Sequence, residues 1–224
     1  MITQSRAAPF LVMLGLCAAA IFITGLLADN FYLRLFSKPL VCGAILAWTL
    51  VIRQDRFARL ISLGLAFCLL GDLLLELSAS LFLPGLVAYL IGHIVFIIAF
   101  LLDTRQPAFG RLIPIAVWVI LTYFVVLPGL ESMTLPVLAY VIVIGGMVWR
   151  AASRVGSHGE PHWSEWLGMI GAFLFAFSDS LLALNRFYSP FASARYIVIL
   201  IYWAGLVLLA TTILRLPPKL EEAK

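Results

Sequence analysis

Eight long apolar runs constrain the fold of this chain more than any other feature of its sequence. They fall at about 8–27, 38–52, 58–78, 83–102, 110–127, 132–151, 163–184 and 194–215. Each approaches the ~20 residues that an α-helix needs to cross the ~30 Å hydrocarbon core of a bilayer. Turn residues such as Pro84-Gly85 and Pro128-Gly129 separate neighbouring runs. The sequence therefore predicts an all-α integral membrane protein with about eight transmembrane helices.

The composition supports a membrane protein and excludes a water-soluble domain. Of the 224 residues, 63% are apolar and 12% are charged, whereas soluble domains are nearer half apolar and a quarter charged. We predict a single transmembrane domain over residues 1–224, with a short polar tail at 216–224. The second run is the shortest, and Ser37-Lys38-Pro39 is predicted to open its helix.

The distribution of basic residues predicts how the helices are oriented. One predicted side holds eleven of the 15 Lys and Arg residues, which are Arg6, Arg53, Arg56, Arg59, Arg105, Arg111, Arg150, Arg154, Arg215, Lys219 and Lys224. The other side holds Arg34, Lys38, Arg186 and Arg195. By the positive-inside rule the side with eleven is cytoplasmic, so we expect both termini there and a bacterial inner (plasma) membrane location. Because these residues lie mainly in short loops, the net charge of +4 does not indicate a nucleic-acid partner.

Two segments hint at an internal repeat. Residues 64–77 align without gaps to residues 171–184, and the alignment pairs Asp72 with Asp179. The two segments belong to the third and seventh spans, which run in the same direction, as a parallel four-plus-four repeat requires. Such a repeat would place the two aspartates at equal depth in the membrane.

Asp72 and Asp179 are the main candidates for catalytic residues. Each lies about two thirds of the way along a predicted span, where an ionised side chain costs at least ~2.5–3.5 kcal/mol on insertion scales. Such side chains normally face the interior of the bundle or a wet cavity, although they can also simply hold helices together by hydrogen bonds. Small neighbours, including Gly71 and Ser178, allow close helix approach beside them.

Several polar residues are candidates for supporting roles near the aspartates. Glu76 lies one helical turn beyond Asp72, so it either shares a proton with that carboxyl group or is a solvated group at the helix end. His93 lies near the middle of the fourth span, one turn after Tyr89, and is either a packing group or a functional one. Tyr140 and Tyr202 carry hydroxyl groups at interior depth that could orient a carboxylate or water.

Lys38 is predicted at the outer boundary of the membrane. It either extends its amine to the interface or contacts a lipid phosphate at the mouth of an outward-opening cavity. A metal site is not predicted, because His158 and His162 belong to a loop far from His93 and the three cysteines show no C-x-x-C spacing.

The motifs around these residues resemble the lysoplasmalogenase (YhhN-like) family of eight-span membrane proteins. They are SKPL at 37–40, LGDLLLEL at 70–77, FLPGLVAYLIGH at 82–93, LGMIGAFLFAFSDSLLALNRF at 167–187 and YW at 202–203. One departure is Ala204-Gly205-Leu206, where the family is expected to carry a polar residue such as glutamine. The resemblance implies hydrolysis of the vinyl ether of a lysoplasmalogen to a fatty aldehyde and a glycerophospho-alcohol, without a cofactor.

The candidate residues suit that reaction on chemical grounds. Hydrolysis of a vinyl ether begins with protonation of its β-carbon, and water then attacks the resulting oxocarbenium ion. One neutral acid and one anion are needed, and two carboxyl groups in a low-dielectric pocket supply both. Asp72 and Asp179 are assigned to these roles, with the order of the roles left open.

Two functions of other classes fit the same residues. A proton-coupled transporter would use two membrane carboxylates and a histidine as a relay. A lipid-binding membrane protein would hold a lysolipid without turnover. In each case the expected partners are membrane lipids, and the sequence leaves the oligomeric state open.

Overall fold

The computed structural model describes residues 2–157 and 162–214, with side chains from residue 7 onward. Within these residues the chain forms eight α-helices, a few short 3-10 turns and no β-strand. The helices are α1 (Ile2–Leu27), α2 (Phe31–Ile52), α3 (Arg56–Leu77), α4 (Phe82–Asp103), α5 (Phe109–Val126), α6 (Thr134–Arg154), α7 (Trp163–Phe187) and α8 (Ala194–Thr211). All eight segments are long and apolar enough to cross a membrane, which confirms the predicted all-α membrane fold.

The side of the membrane on which the termini lie, the single-domain boundary and the internal repeat stay predictions. The polar tail, Arg215, Lys219, Lys224 and His158 lie outside the described residues, as does the side chain of Arg6.

The helices pack as a bundle in which α1 and α5 are peripheral. The contacts of α1 are mainly with α2, and α5 packs chiefly on α6, with Val126 as its one buried residue. The interior is formed mainly by α3, α4, α6, α7 and α8, around side chains such as Phe96 and Leu206. Many large apolar side chains stay exposed on the outer surface, including Phe10 and Leu135. Such a surface is stable in lipid, because lipid tails are as apolar as the side chains that face them.

Paired glycines bring α7 and α8 into close contact. A Cβ added to Gly171 would lie 2.8 Å from the backbone nitrogen of Leu209, and one added to Gly205 would lie 2.9 Å from that of Phe175. Small residues at such positions let two transmembrane helices approach backbone to backbone. Gly205 belongs to the segment that departs from the expected family pattern, and its contact with α7 has no room for a side chain as large as glutamine.

The predicted start of the second helix is wrong. Helix α2 begins at Phe31, and the side chain of Asn30 caps it by accepting a hydrogen bond from the backbone of Leu33 at 3.1 Å. Lys38 and Pro39 therefore lie about two turns inside the helix. Hydropathy starts the run too late because the first two turns carry charged residues, which form ion pairs with α3 in the folded protein.

Helix α6 also extends beyond its predicted end and buries two arginines assigned to a loop. Arg154 is fully buried, and its Nε donates to Asp103 Oδ2 at 2.7 Å. Its guanidinium group lies 5.2 Å from the ring centroid of Phe57 and 5.1 Å from that of Phe100. Arg150 donates to the backbone carbonyls of Thr104 and Gln106. These contacts fix the end of the bundle where α4 and α6 finish.

Candidate active site

A cavity opens at the other end of the bundle, where α3 ends and α4 begins. It encloses about 950 Å³ of space, including its open mouth. Seven of the nine predicted site residues line it, which are Lys38, Asp72, Tyr89, Tyr140, Ser178, Asp179 and Tyr202. Apolar side chains such as Leu86, Val126, Val137, Val141 and Phe187 form much of the remaining wall. The structure therefore brings residues from seven helices, α2 to α8, to one mostly apolar chamber.

Asp72 is fully buried and has three polar partners from three different helices. Tyr89 of α4 donates its hydroxyl to Asp72 Oδ1 at 2.8 Å, and Tyr202 of α8 donates to Oδ2 at 3.0 Å. Lys38 Nζ of α2 lies 3.7 Å from Oδ1. Two hydroxyl donors and a cation favour the ionised form of a carboxyl group.

Asp179 has fewer partners than Asp72. Tyr140 of α6 donates its hydroxyl to Asp179 Oδ2. No cationic side chain of the described residues lies within ion-pair distance of Asp179. Its side chain keeps some accessible surface where it faces the cavity. An apolar surrounding without a cation favours the neutral form of a carboxyl group.

The tyrosine beside Asp72 is held in place by a glycine. A Cβ added to Gly71 would lie 2.7 Å from the ring of Tyr89. Because Gly71 has no side chain, the ring packs closely against α3, and its hydroxyl reaches the neighbouring Asp72. The Gly71-Asp72 sequence thus supplies both the carboxyl group and the space for its hydrogen-bond donor.

Five aromatic rings pack edge to face beneath the two aspartates. They belong to Tyr89, His93, Tyr140, Phe175 and Tyr202. We call this set the aromatic floor. The His93 ring is fully buried in it, with its centroid 4.7 Å from that of Phe175 and 5.3 Å from that of Tyr140. Neither ring nitrogen of His93 has a hydrogen-bond partner among the described residues. His93 therefore packs below the cavity and does not line it.

The structure places Lys38 inside α2 and excludes one of the two environments predicted for Glu76. Lys38 is largely buried and lies 3.7 Å from both Asp72 Oδ1 and Glu76 Oε2. Glu76 is not a solvated group, since its side chain is only 6% exposed. Lys38 therefore contacts both carboxylates and offsets one of their two negative charges. Lys38 lies within α2 and not at its start, so only the predicted opening of the helix at this residue is wrong.

Sequence reasoning missed three residues near the site, which are Arg34, Arg195 and Phe175. Arg34 and Arg195 had been counted only for helix orientation, yet both donate to Glu76 Oε1, at 3.1 and 3.2 Å. Arg34 lies four residues before Lys38, so the two share one face of α2, and that spacing was the available signal. Nothing in the sequence distinguishes Phe175 from the other phenylalanines of the same segment.

Ser178 has a structural contact beside the site. Its hydroxyl donates to the backbone carbonyl of Val198 at 2.8 Å, which links α7 to α8.

Within the described residues, no group of three or more His, Cys, Asp or Glu side chains is arranged to hold a metal ion. The titratable side chains that line the cavity are the two aspartates, Lys38 and the three tyrosines that contact the aspartates.

Comparison with known proteins assigns the chain to a family. Lysoplasmalogenase TMEM86B of Homo sapiens is 32% identical over 185 residues, which is 82% of this chain and 76% of that protein. Lysoplasmalogenase TMEM86B of Mus musculus is 30% identical over 182 residues, covering 80% of this chain and 74% of the mouse protein. No solved structure shows significant similarity to the chain. Because the YhhN family matches residues 33–213, a range that includes every residue of the candidate site, this chain belongs to the YhhN family.

Proposed function

We propose that this protein is a membrane-embedded hydrolase that cleaves the vinyl ether bond of lysoplasmalogens by carboxyl acid/base catalysis. Two findings support the activity, namely the similarity to proteins named lysoplasmalogenase and the two aspartates on one apolar cavity. The apolar wall suits the single alkenyl chain of a lysolipid. The observation that carries the mechanism is the difference between the two carboxyl groups, of which only Asp72 faces a cation.

In the proposed mechanism Asp179 is the general acid. Its neutral carboxyl group donates a proton to the β-carbon of the vinyl ether, and the double-bond electrons form the new C–H bond. The α-carbon and the ether oxygen then share the positive charge of an oxocarbenium ion. The Tyr140 hydroxyl, which already donates to Asp179, stabilises the carboxylate that this step leaves behind.

Asp72 acts as the anion and general base in the second half of the reaction. Its carboxylate stabilises the oxocarbenium ion and accepts a proton from the water that attacks the α-carbon, which gives a hemiacetal. Collapse of the hemiacetal breaks the bond to the glycerol oxygen. That oxygen takes the proton from Asp72, and the hemiacetal hydroxyl returns its proton to Asp179. The products are a fatty aldehyde and a glycerophospho-alcohol, and both aspartates regain their initial states.

The proposal includes the side of the membrane from which the substrate enters. If the end of the bundle where α4 and α6 finish is cytoplasmic, as the positive-inside rule predicts, the cavity mouth faces the outer leaflet. A lysolipid could then enter with its headgroup at the mouth and its chain between the helices.

A direct test is mass spectrometry of products from lysoplasmalogens and the matching lysophospholipids, incubated with purified protein in detergent. Wild type should release aldehyde from the vinyl ether lipids alone. Asp72→Asn and Asp179→Asn should each lower the rate by about 10²–10⁴-fold, the range for loss of a general acid or base. Glu131→Gln is the matched control, because it makes the same change at an exposed position. Full activity in either aspartate variant would refute the mechanism, and unchanged lipid after long incubation of wild type would refute the activity.

A further inference from the structure

Three basic residues converge on Glu76, at the end of α3 where the cavity opens, and of these four residues Lys38 also lines the cavity. Arg34 Nε and Arg195 Nη2 donate to Glu76 Oε1 at 3.1 and 3.2 Å, and Lys38 Nζ lies 3.7 Å from Glu76 Oε2. We call these four residues the mouth cluster. The Glu76 side chain is nearly enclosed at 6% exposure, whereas that of Arg195 is 54% exposed. The cluster therefore has a buried anion at its centre and an accessible guanidinium group at its edge.

Lys38 also lies 3.7 Å from Asp72 Oδ1, so the three cations of the mouth cluster face two buried carboxylates, Glu76 and Asp72, and exceed them by one positive charge. Asp29 also contacts Arg34, at 2.9 Å, but its side chain is 93% exposed, so water screens much of its charge. A guanidinium group has five N–H donors in a planar fork that matches the oxygens of a phosphate group. Arg195 directs one of these donors to Glu76. An anion that arrives from the open side would meet Arg195 first and then Lys38 and Arg34.

We propose that the mouth cluster is a subsite for the phosphate group of the substrate, and that Glu76 holds its cations in position while the site is empty. The subsite rests on the proposed function, since it assigns the headgroup end of the lysolipid that the two aspartates would cleave. Arg195 is its principal ligand because it is the most accessible of the three cations.

The spacing of the two groups of residues suits one lysolipid molecule. Glu76 follows Asp72 by four residues, and Arg34 precedes Lys38 by four residues, so the cluster lies one helical turn, about 5–6 Å, from Asp72 toward the mouth. In a lysoplasmalogen the three glycerol carbons separate the ether oxygen from the phosphate ester oxygen. At about 1.5 Å per bond this linker spans a similar length. A phosphate at the mouth cluster would therefore place the vinyl ether beside Asp72 and the alkenyl chain against the apolar wall.

The experiment compares two substrates that differ only in phosphate, a 1-alkenyl-glycerophosphoethanolamine and the corresponding 1-alkenylglycerol. We expect wild type to show the higher kcat/KM for the phosphorylated lipid, mainly through a lower KM. In Arg195→Ala that preference should fall about ten- to a hundredfold, which is the effect of losing a charge-assisted hydrogen bond. Arg59→Ala, an exposed arginine at the other end of α3, should keep the wild-type preference.

Glu76→Gln should change the preference for the phosphorylated lipid in the opposite direction from Arg195→Ala. The amide keeps the shape of the side chain but removes the negative charge that competes with phosphate, so the preference for the phosphorylated lipid should rise. A purely structural role for the cluster would make both variants lose activity toward both lipids in parallel. That outcome, or an unchanged preference in Arg195→Ala, would overturn the subsite.

Binding measurements separate the failure of the subsite from the failure of the proposed function. The saturated 1-alkyl lipids lack the vinyl group and cannot be cleaved by this route, so their affinity is measured with purified protein whether or not it turns over. We expect tighter binding of the 1-alkyl-glycerophosphoethanolamine than of the 1-alkylglycerol, and loss of that difference in Arg195→Ala. Equal binding by wild type would overturn the subsite, even if the vinyl ether lipids are hydrolysed.

Inorganic phosphate tests whether the subsite takes the free anion as well as the lipid phosphate. Competition with the 1-alkyl lipid in wild type, lost in Arg195→Ala, would support a subsite open to both sources. An absence of competition in either protein, together with the lipid preference, would support a subsite that binds phosphate only as part of the headgroup. Equal competition in both proteins would contradict a role for Arg195.

Discussion

Asp72 and Asp179 line the same cavity, but the protein surrounds them differently. Asp72 is fully buried between two tyrosine hydroxyls and a lysine, and that lysine continues into the mouth cluster. Asp179 faces the apolar part of the chamber with one tyrosine hydroxyl as its donor. Two segments that resemble each other in sequence thus provide two chemically different carboxyl groups. The difference shows how one cavity can hold an acid and an anion together.

The largest expected effect that tests this comparison is on stability. Asp72→Asn should lower the free energy of unfolding by about 3 kcal/mol, because it removes one partner of a buried ion pair while Glu76 still faces Lys38. Asp179→Asn should change it by less than about 1 kcal/mol, because it replaces one neutral group by another that still accepts a hydrogen bond. Unfolding by SDS titration in mixed micelles measures both values. Equal losses would mean that the two carboxyl groups carry the same charge.

Loss of the tyrosine hydroxyl beside Asp72 should lower stability more than loss of the tyrosine hydroxyl beside Asp179. Tyr202→Phe removes a hydrogen bond to the proposed anion and should cost about 1.5–3 kcal/mol of stability, the range for bonds to charged groups. Tyr140→Phe removes a bond to the proposed neutral acid and should cost about 0.5–1.5 kcal/mol. The same SDS titration provides the measurement. A greater loss in Tyr140→Phe would reverse the assignment of acid and base.

A substitution at Gly71 should disturb the hydrogen bond to Asp72 by displacing the Tyr89 ring. Gly71→Ala places a methyl group against the Tyr89 ring, so the hydroxyl should move away from Asp72 at a cost of about 1–3 kcal/mol, which is typical of overpacking. Aldehyde release should fall together with stability. Gly43→Ala is the matched control in α2, because a Cβ at that position would meet no atom within 4 Å. Similar behaviour of the two variants would show that Tyr89 does not depend on Gly71.

The smallest expected effect is at Ser178, next to Asp179. Ser178→Ala removes the hydrogen bond to the Val198 carbonyl and should cost about 0.6 kcal/mol, the average for such bonds between transmembrane helices. The aldehyde assay should show a smaller change than any aspartate variant. A loss of activity as large as that of Asp179→Asn would place Ser178 in the chemistry and not only in helix packing.

The sequence supports the prediction of the helices better than the prediction of their ends. Hydropathy identifies all eight spans because only a continuous apolar segment can cross lipid. It fails at the start of α2 and the end of α6, where charged side chains lie inside the bundle. Arg34, Lys38 and Arg154 count as breaks in a hydropathy profile, yet in the fold each is buried beside a carboxylate.

The two carboxyl groups of the candidate site could be predicted from the sequence, but the residues that contact them could not. Asp72 and Asp179 stand out because acidic residues are rare within spans. Arg34 and Arg195 look like ordinary loop residues that orient helices, and nothing in the local sequence connects them to Glu76. Arg195 is 119 positions from Glu76 in the chain, so their contact follows from how α3 and α8 pack.

The sequence by itself determined that the chain is a membrane protein, how many of its helices are long and apolar enough to cross a bilayer, and that two carboxyl groups lie within such helices. Those properties depend on composition along single segments, where the cost of exposing polar groups to lipid is decisive. The tertiary structure alone decided which partners each aspartate has. Tyr89, Tyr140 and Tyr202 lie 17, 39 and 130 positions from the carboxyl groups that they contact. Such contacts depend on the rotation and close approach of helices, and positions such as Gly71, Gly171 and Gly205 permit that approach.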